Sequence, residues 1–412
     1  MRLFVAAPVP SGITCGYRTL LLITLWGSLV LGTACGKSGM NMTTTTTNPP
    51  PTQPSYPSTP PVSIDWSPGS SAYPAPPACT PPTSGCTPPA ASGSNDFPLT
   101  VDSPSDGEST TSPATVVANA KPKNPIFFMR VYIDQLAVYF TFTDSINAQL
   151  FMAPGQHTME VMAEDKEGYI SSTILHITVT TQSKTTISDI QDMAGWQSCG
   201  ALFPPGSGRD GQICAAGYGT PQSSLTQNVS SPAMDGKSAQ FSMGGPWQNC
   251  TSPPAYCNIL YFNPVAGGNS VSHFTYDLYF YVDQPDKPQA LEFDLNQTFG
   301  GNRWVWGSEC NFRDTGKWDI WDDVNGWTPT IYECKPFPAN TWIHLIWNVE
   351  RVGNQVHYIS LTVGDQVYNV DTYYDNQPDW TLEEIDVAFQ MDGNYAEQPY
   401  NVWLDKVNLT AN

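Results

Sequence analysis

One short segment of the sequence holds most of the residues that could do chemistry. The segment LEFDLNQ contains four polar side chains that could act together: Glu292, Asp294, Asn296 and Gln297. Because side chains of a β-strand alternate between its two faces, Glu292, Asp294 and Asn296 would share one face. The apolar residues between them would share the other face and belong in a core. We therefore expect the polar side chains to line a cleft, where they could form hydrogen bonds with sugar hydroxyls.

Tryptophans accompany this polar segment along the chain. Nine of the 13 tryptophans follow it: Trp304, Trp306, Trp318, Trp321, Trp327, Trp342, Trp347, Trp380 and Trp403. Sugar rings stack their C–H faces on indoles while their hydroxyls reach acidic and amide groups, so this mixture is typical of a carbohydrate site. Most of these indoles should belong to the core. We expect Trp304, Trp306 and Trp321 to be exposed in the cleft and to bind carbohydrate.

A metal site is weakly indicated. Residues 319–326, DIWDDVNG, place carboxylate and amide oxygens before a glycine, and such oxygens suit Ca²⁺. The spacing does not match an EF-hand loop, so a structural calcium site and an ordinary solvated turn both stay open. The five histidines have no metal-ligand spacing to one another or to cysteine, which argues against zinc. We expect no other cofactor.

The elements that would position these residues are all β-strands. Alternating apolar and polar residues recur throughout residues 183–412, and no stretch of helical period appears. A long unit of many strands favours a two-sheet jelly roll. Residues 98–182 contain seven shorter strand-like segments separated by turn signals, which predicts a small β-sandwich. The predicted fold class is therefore all-β.

The N-terminal part predicts export. Residues 1–35 combine basic residues, a short apolar run and small residues, as in a signal peptide. The small residues before Cys35 resemble the lipobox of bacterial lipoproteins, which implies lipidation of Cys35, with simple cleavage after Ala34 as the alternative. Residues 36–97 are rich in Pro, Thr and Ser and predict an extended linker. We expect a cell-surface or outer-membrane lipoprotein, or a secreted protein.

Cysteine usage agrees with export. Six cysteines lie in the C-terminal part: Cys199, Cys214, Cys250, Cys257, Cys310 and Cys334. An even number in an exported chain indicates disulfides. Six cysteines permit many pairings, and we favour the sequential ones, 199–214, 250–257 and 310–334.

The charge of the chain limits its partners. The 412 residues include 17 basic and 37 acidic side chains, for a net charge of −20. This balance argues against nucleic acid, whose binding depends on neutralising phosphates. We expect a polysaccharide partner, neutral or cationic, and membrane contact only through an N-terminal lipid. The oligomeric state is not predicted.

The two predicted sandwiches resemble known families. The strand DLYFYV, the acidic LEFD strand, the tryptophan-rich section and the final VWLDKVNLT strand together make residues 183–412 similar to the concanavalin A-like lectin and glucanase superfamily. The segments SPSDGESTTSPATVVANA and RVYIDQLAVY make residues 98–182 look like a bacterial immunoglobulin-like domain. That resemblance implies a spacer or adhesion module.

The acidic strand also resembles that of laminarinase-type retaining glycosidases within the superfamily. The resemblance implies that Glu292 is a nucleophile and that Asp294 assists it. The position of the acid/base is occupied by Asn296 or Gln297, however, and a carboxamide cannot transfer the proton. Catalysis would then require a replacement carboxylate, for which the candidates are Glu309, Asp319, Asp322 and Asp323.

Three functions stay open at this point. The first is a carbohydrate-binding protein without catalysis. The second is an endo-acting glycoside hydrolase that uses Glu292, so whether the protein is an enzyme is undecided. The third is an adhesin that contacts another protein. A second carboxyl group near Glu292 would favour the glycoside hydrolase over the carbohydrate-binding protein.

Overall fold

The computed structural model describes residues 95–199, 220–248, 258–379, 383–393 and 398–412. These residues form β-strands and a single 3₁₀ turn. Among them, no helix has the length and hydropathy needed to cross a membrane.

The expectations for the N-terminus lie outside the described residues. They are the signal peptide, the lipidation of Cys35 and all of the linker except residues 95–97. All three stay predictions.

The strands follow one another from the first described residues to the C-terminus. They are β1 (Leu99–Ser103), β2 (Ser109–Ser112), β3 (Ala114–Ala120), β4 (Ile126–Ile133), β5 (Leu136–Thr141), β6 (Ser145–Phe151), β7 (Gly155–Asp165), β8 (Ile170–Gln182), β9 (Thr185–Ile187), β10 (Gln197–Cys199), β11 (Thr220–Val229), β12 (Ser238–Gln248), β13 (Asn258–Gly268), β14 (His273–Val282), β15 (Leu291–Phe299), β16 (Asn302–Trp306), β17 (Ser308–Asn311), β18 (Lys317–Asp322), β19 (Gly326–Glu333), β20 (Trp342–Val352), β21 (Gln355–Val363), β22 (Gln366–Asp375), β23 (Gln377–Pro378), β24 (Glu384–Asp392) and β25 (Tyr400–Ala411). The 3₁₀ turn, Ile190–Asp192, lies between β9 and β10.

The first strands form a small sandwich. One sheet has the order β2-β8-β7-β4-β5, and the other contains β1, β3 and β6. Val116 of β3, Val131 of β4 and Val161 of β7 are each 0% exposed and belong to one apolar cluster, so the two sheets share a core. β-branched residues at alternate positions suit such half-buried strands.

The remaining strands form a larger sandwich with two facing sheets. One contains β13-β24-β15-β17-β18-β19, and the other has the order β11-β12-β25-β14-β20-β21-β22. Phe293 of β15 and Phe280 of β14 are each 0% exposed, and their ring centroids lie 5.0 Å apart between the sheets. The prediction of an all-β fold with a jelly-roll sandwich is confirmed.

One sheet continues from the small sandwich into the large one. β6 pairs in parallel with β13, where Gln149, Leu150 and Phe151 match Ala266, Gly267 and Gly268. A Cβ on Gly267 would lie 2.4 Å from the carbonyl oxygen of Val138. Val138 belongs to β5, so the absence of a side chain at Gly267 is what lets the backbones of β5 and β13 approach each other at this junction.

A disulfide closes the edge of the jelly roll. The structure pairs Cys310 of β17 with Cys334, just after β19, with Cα atoms 5.6 Å apart, as predicted. Both cysteines are buried in the core. The other two predicted pairs lie outside the residues whose side chains the structure describes.

Replacement of Gly267 by alanine tests the junction. We expect Gly267→Ala to lower the free energy of unfolding by about 1–3 kcal/mol, because the backbones must separate to admit the methyl group. Urea denaturation would measure this change. The control is Gly244→Ala, also within a strand, where the nearest atom to an added Cβ is 3.8 Å away; a loss of equal size there would contradict the explanation.

Candidate functional site

A row of polar side chains crosses the jelly-roll sheet on the face opposite the core. Glu292 of β15 stands directly across from Glu309 of β17 on one side and from Gln390 of β24 on the other. Glu309 in turn stands across from Asp319 of β18. Directly opposed residues on neighbouring strands point to the same face, so these side chains are neighbours.

Three carboxylates of this face converge. Oxygens of Glu292, Glu309 and Asp392 lie within 4.8 Å of one another, and the residues are only 6%, 3% and 6% exposed. Gln390 Nε2 donates hydrogen bonds to Glu292 Oε1 and, over 3.1 Å, to Asp392 Oδ1. Asn311 Nδ2 donates to Glu309 Oε1 over 2.9 Å. The side chains that hold this carboxylate cluster are thus neutral amides.

Burial and mutual repulsion change the acidity of the cluster. Burial, together with the nearby carboxylates, raises the pKa values of Glu292 and Glu309 well above their ordinary range. Burial raises the pKa of Asp392 to about 7. The pKa of Asp294, whose side chain accepts a hydrogen bond from the Ser308 amide, is also raised by burial to about 7. Near neutral pH the cluster therefore retains protons that exposed carboxyl groups would have lost.

A more open part of the same face adjoins the cluster. Asp294 is half-buried, and its Oδ1 accepts a hydrogen bond of 3.1 Å from the Ser308 amide. Asn296 is also half-buried and donates from Nδ2 to Asp386 Oδ1 over 2.9 Å. Both residues are therefore partly exposed on this face, unlike Glu292 and Glu309.

Two indoles stand beside Asp294. Trp321 and Trp327 are half-buried, and their rings meet edge to face with centroids 5.2 Å apart. Trp321 Nε1 donates to Asp323 Oδ1 over 2.7 Å, which fixes the ring. A Cβ on Gly307 would lie 2.9 Å from Trp321 Cβ and 3.5 Å from Asp294 Oδ1. Gly307 therefore allows the indole and the carboxylate to lie close together.

Two of the predicted stacking residues are placed in the core. Trp304 and Trp306 are only 3% and 2% exposed and pack within the main apolar cluster. β16 pairs with β15 so that Trp306 is opposite Leu295, a core residue. The expectation that these two indoles are exposed in a cleft was wrong, because a sheet fixes which face they occupy and the sequence alone does not show it.

Gln297 also lies on the core side. It is 0% exposed, and its Nε2 donates to the carbonyl oxygens of Gly268 and Val271. Its Oε1 accepts a hydrogen bond of 3.0 Å from Arg351 Nε. Its assignment as a sugar ligand was therefore wrong. The period of two already places Gln297 on the face of Leu295 rather than that of Asn296.

The four candidate carboxylates are divided between two places. Glu309 joins Glu292 in the cluster, and Asp319 lies one strand further, where the Thr315 hydroxyl donates to it over 2.8 Å. Asp322 accepts from the Val324 amide, and Asp323 accepts from Trp321 and from Arg303. The carboxylates of residues 319–326 thus bind different protein donors, and the calcium site predicted there stays a prediction.

Several residues of this face were not predicted from the sequence. Gln390, Asp392 and Asn311 belong to the cluster, and Trp327 belongs to the more open part. Both Gln390 and Asp392 lie on β24, and which strands β24 pairs with depends on the whole sheet. Only the alternation within β24 could have indicated that Gln390 and Asp392 share a face.

Comparisons with known proteins were made by sequence and by structure. No family model and no curated protein matches the sequence. Among solved structures, a carbohydrate-binding module of the β-sandwich superfamily is 10% identical over 76% of this chain and 95% of its own, with a TM-score of 0.26. The winged bean acidic lectin complexed with methyl-α-D-galactose is 10% identical over 56% of this chain and 98% of its own, with a TM-score of 0.28. A carbohydrate-binding module from Bacillus subtilis is 13% identical over 45% of this chain and 94% of its own, with a TM-score of 0.21. Likenesses with such low TM-scores carry no conclusion about this chain.

The raised pKa values predict an unusual pH dependence. A carboxyl group whose pKa is higher in the folded than in the unfolded state lowers the free energy of unfolding as pH rises between these two pKa values. For Asp392 this range runs from about pH 4 to about pH 7. With EDTA present to remove metal ions, we expect the protein to lose stability from pH 5 to pH 8. Asp392→Asn should reduce that loss by more than about 1 kcal/mol in urea denaturation. Equal losses of stability for the parent and Asp392→Asn between pH 5 and pH 8 would contradict a raised pKa at Asp392.

Proposed function

We propose that the jelly roll, residues 183–412, binds carbohydrate on the polar face of β15, β17 and β18. The observation that carries this proposal is the placement of the half-exposed Trp321 and Trp327 beside the partly exposed Asp294 and Asn296. A pyranose ring would stack on the indole pair, and its hydroxyls would donate to the carboxylate and exchange hydrogen bonds with the amide.

The orientation of Trp321 supports such a role. Its indole N–H is bonded to Asp323, which also accepts from Arg303 Nη2 over 3.2 Å, so the ring is held before a ligand arrives. A fixed ring loses little conformational freedom on binding, which favours affinity. The net charge of −20 favours a neutral or cationic polysaccharide over an acidic one, since like charges repel.

The rest of the chain would present this site. We propose that residues 98–182 act as an immunoglobulin-like spacer and that residues 1–35 direct export. Lipidation of Cys35 would then retain the protein at a cell surface, with residues 36–97 as an extended linker. Without lipidation the protein would be secreted.

A glycoside hydrolase is the second candidate. The observation that favours it is the approach of Glu292 and Glu309, whose carboxylate oxygens lie within 4.8 Å. A retaining glycosidase needs two carboxyl groups about 5–5.5 Å apart, and the raised pKa of Glu309 would keep a proton available for the leaving group. Two observations favour simple binding instead: both residues are nearly buried, and Asp392 adds a third carboxylate. No observation on the described residues favours the adhesin hypothesis over these two.

Replacement of Trp321 tests the binding proposal. Trp321→Ala should weaken retention on a neutral polysaccharide by about tenfold or more, because the stacking surface is lost. Affinity electrophoresis against a panel of neutral polysaccharides would measure the change. Tyr169→Ala is the matched control, since that ring is 53% exposed on the small sandwich. Equal retention of the parent and Trp321→Ala by every glycan that retains the parent would contradict the proposal.

Product analysis separates binding from hydrolysis. The binding proposal predicts that the parent protein retains a polysaccharide without releasing reducing ends. Release by the parent that disappears in both Glu292→Gln and Glu309→Gln would instead establish the hydrolase, with these residues as its carboxyl pair. Release that survives in both variants would come from another site or from a contaminant.

A further inference from the structure

One arginine joins Trp321 to a distant segment of the chain. Arg303 of β16 lies between two carboxylates: its Nη2 donates to Asp323 Oδ1 over 3.2 Å, and its Nη1 lies 3.6 Å from Asp379 Oδ2. The side chains of Asp323 and Asp379 are only 4% and 2% exposed. Asp323 in turn accepts the indole N–H of Trp321 over 2.7 Å. These four residues therefore form one continuous series of contacts.

The segment that carries Asp379 is fixed to β16 by its backbone. It leads from β22 in one sheet of the jelly roll to β24 in the other. Within it, β23 pairs with β16, where Gln377 is opposite Arg303. The Asp379 amide donates to the carbonyl oxygen of Gly301 over 3.0 Å. Backbone pairing thus brings the Asp379 carboxylate beside Arg303.

The shape of the guanidinium links Asp379 to Asp323. A guanidinium is a planar fork whose donor directions are fixed relative to one another. The partner of Nη1 therefore also determines where Nη2 points. By holding Nη1, Asp379 directs Nη2 of Arg303 toward Asp323.

Asp323 depends on this donor because it is buried. Burial raises the pKa of Asp323, the charge of Arg303 opposes that increase, and the neighbouring Asp322 adds to it. A buried carboxylate that loses its cation takes up a proton or turns toward water. Either change weakens the charge-assisted hydrogen bond that fixes the Trp321 indole.

We propose that Arg303 and Asp379 are positioning residues for carbohydrate binding, which act on the ligand through Asp323 and Trp321. This role rests on the proposed function, because it concerns the indole on which a sugar ring would stack. An indole that must be ordered on binding lowers affinity, while the stacking surface itself is kept. Loss of the support should therefore weaken binding less than Trp321→Ala does.

The indole N–H of Trp321 reports the positioning without any ligand. In the full chain, ¹H–¹⁵N NMR would measure exchange of this proton with water, with the signal assigned by Trp321→Phe. Asp323→Ala should speed the exchange by about tenfold or more, because the acceptor is gone. Asp379→Asn and Arg303→Lys should each speed it by about threefold or more, since the first removes the charge that orients the fork and the second removes the fork itself. The buried indole of Trp347 on the opposite sheet should exchange as in the parent.

Retention by a glycan that retains the parent reports the effect on binding. Affinity electrophoresis should show Asp379→Asn and Arg303→Lys weakened by about threefold to tenfold. Arg351→Lys is the matched control, because Arg351 of β20 is another partly buried arginine, bonded to Gln297 and to the carbonyl oxygens of Asn269 and Val271. It should leave both the exchange of the Trp321 proton and the retention unchanged, even if its Tm falls.

The positioning role and the proposed function can fail separately. The positioning role is wrong if Asp379→Asn and Arg303→Lys exchange the Trp321 proton at the rate of the parent. It is also wrong if the exchange accelerates while both variants are retained like the parent, or if Arg351→Lys weakens retention as much as they do. Failure of every glycan to retain the parent would instead contradict the proposed function, and the positioning role with it.

Discussion

The alternation of side chains along β15 is the constraint on which the site depends. Phe293 must face Phe280 across the sandwich, where both rings are 0% exposed, so Glu292 must stand on the opposite face. There the strand spacing of about 4.8 Å brings it beside Glu309 and Gln390. Formation of the core thus gathers like charges on the other side of the sheet, at a cost in stability that protons or a cation must offset.

The polar face divides into two parts with different properties. The carboxylate cluster around Glu292 is nearly buried and held by amide donors, so it offers little surface to a polymer. Asp294, two residues along the strand, stands beside the half-exposed Trp321, which suits a sugar ring. The two parts share one strand, so a change of charge at Glu292 acts on the same strand that positions Asp294.

The sequence allowed the class of fold and the local orientation of β15 to be predicted, because both follow from the period of two. A preference for sequential pairing among the six cysteines also predicted the 310–334 disulfide, and in the structure these two cysteines flank β18 and β19. It misplaced Trp304 and Trp306 because their face depends on pairing between β16 and β15, a property of two strands and not of one. Asp392 was missed for the same reason: it reaches Glu292 from a strand 100 residues later in the chain. Gln297 could have been excluded as a sugar ligand from the sequence, because the period of two places it on the core face with Leu295.

The most direct test of the account follows the tryptophan indole N–H signals by ¹H–¹⁵N NMR while a neutral oligosaccharide is added. The chain has 13 tryptophans, so substitution of single residues can assign the relevant signals. We expect the signals of Trp321 and Trp327 to shift with the ligand, while those of the buried Trp304 and Trp306 stay in place. Shifts confined to Trp342 and Trp403, which lie on the opposite sheet, would show that carbohydrate binds there and would contradict binding beside Trp321.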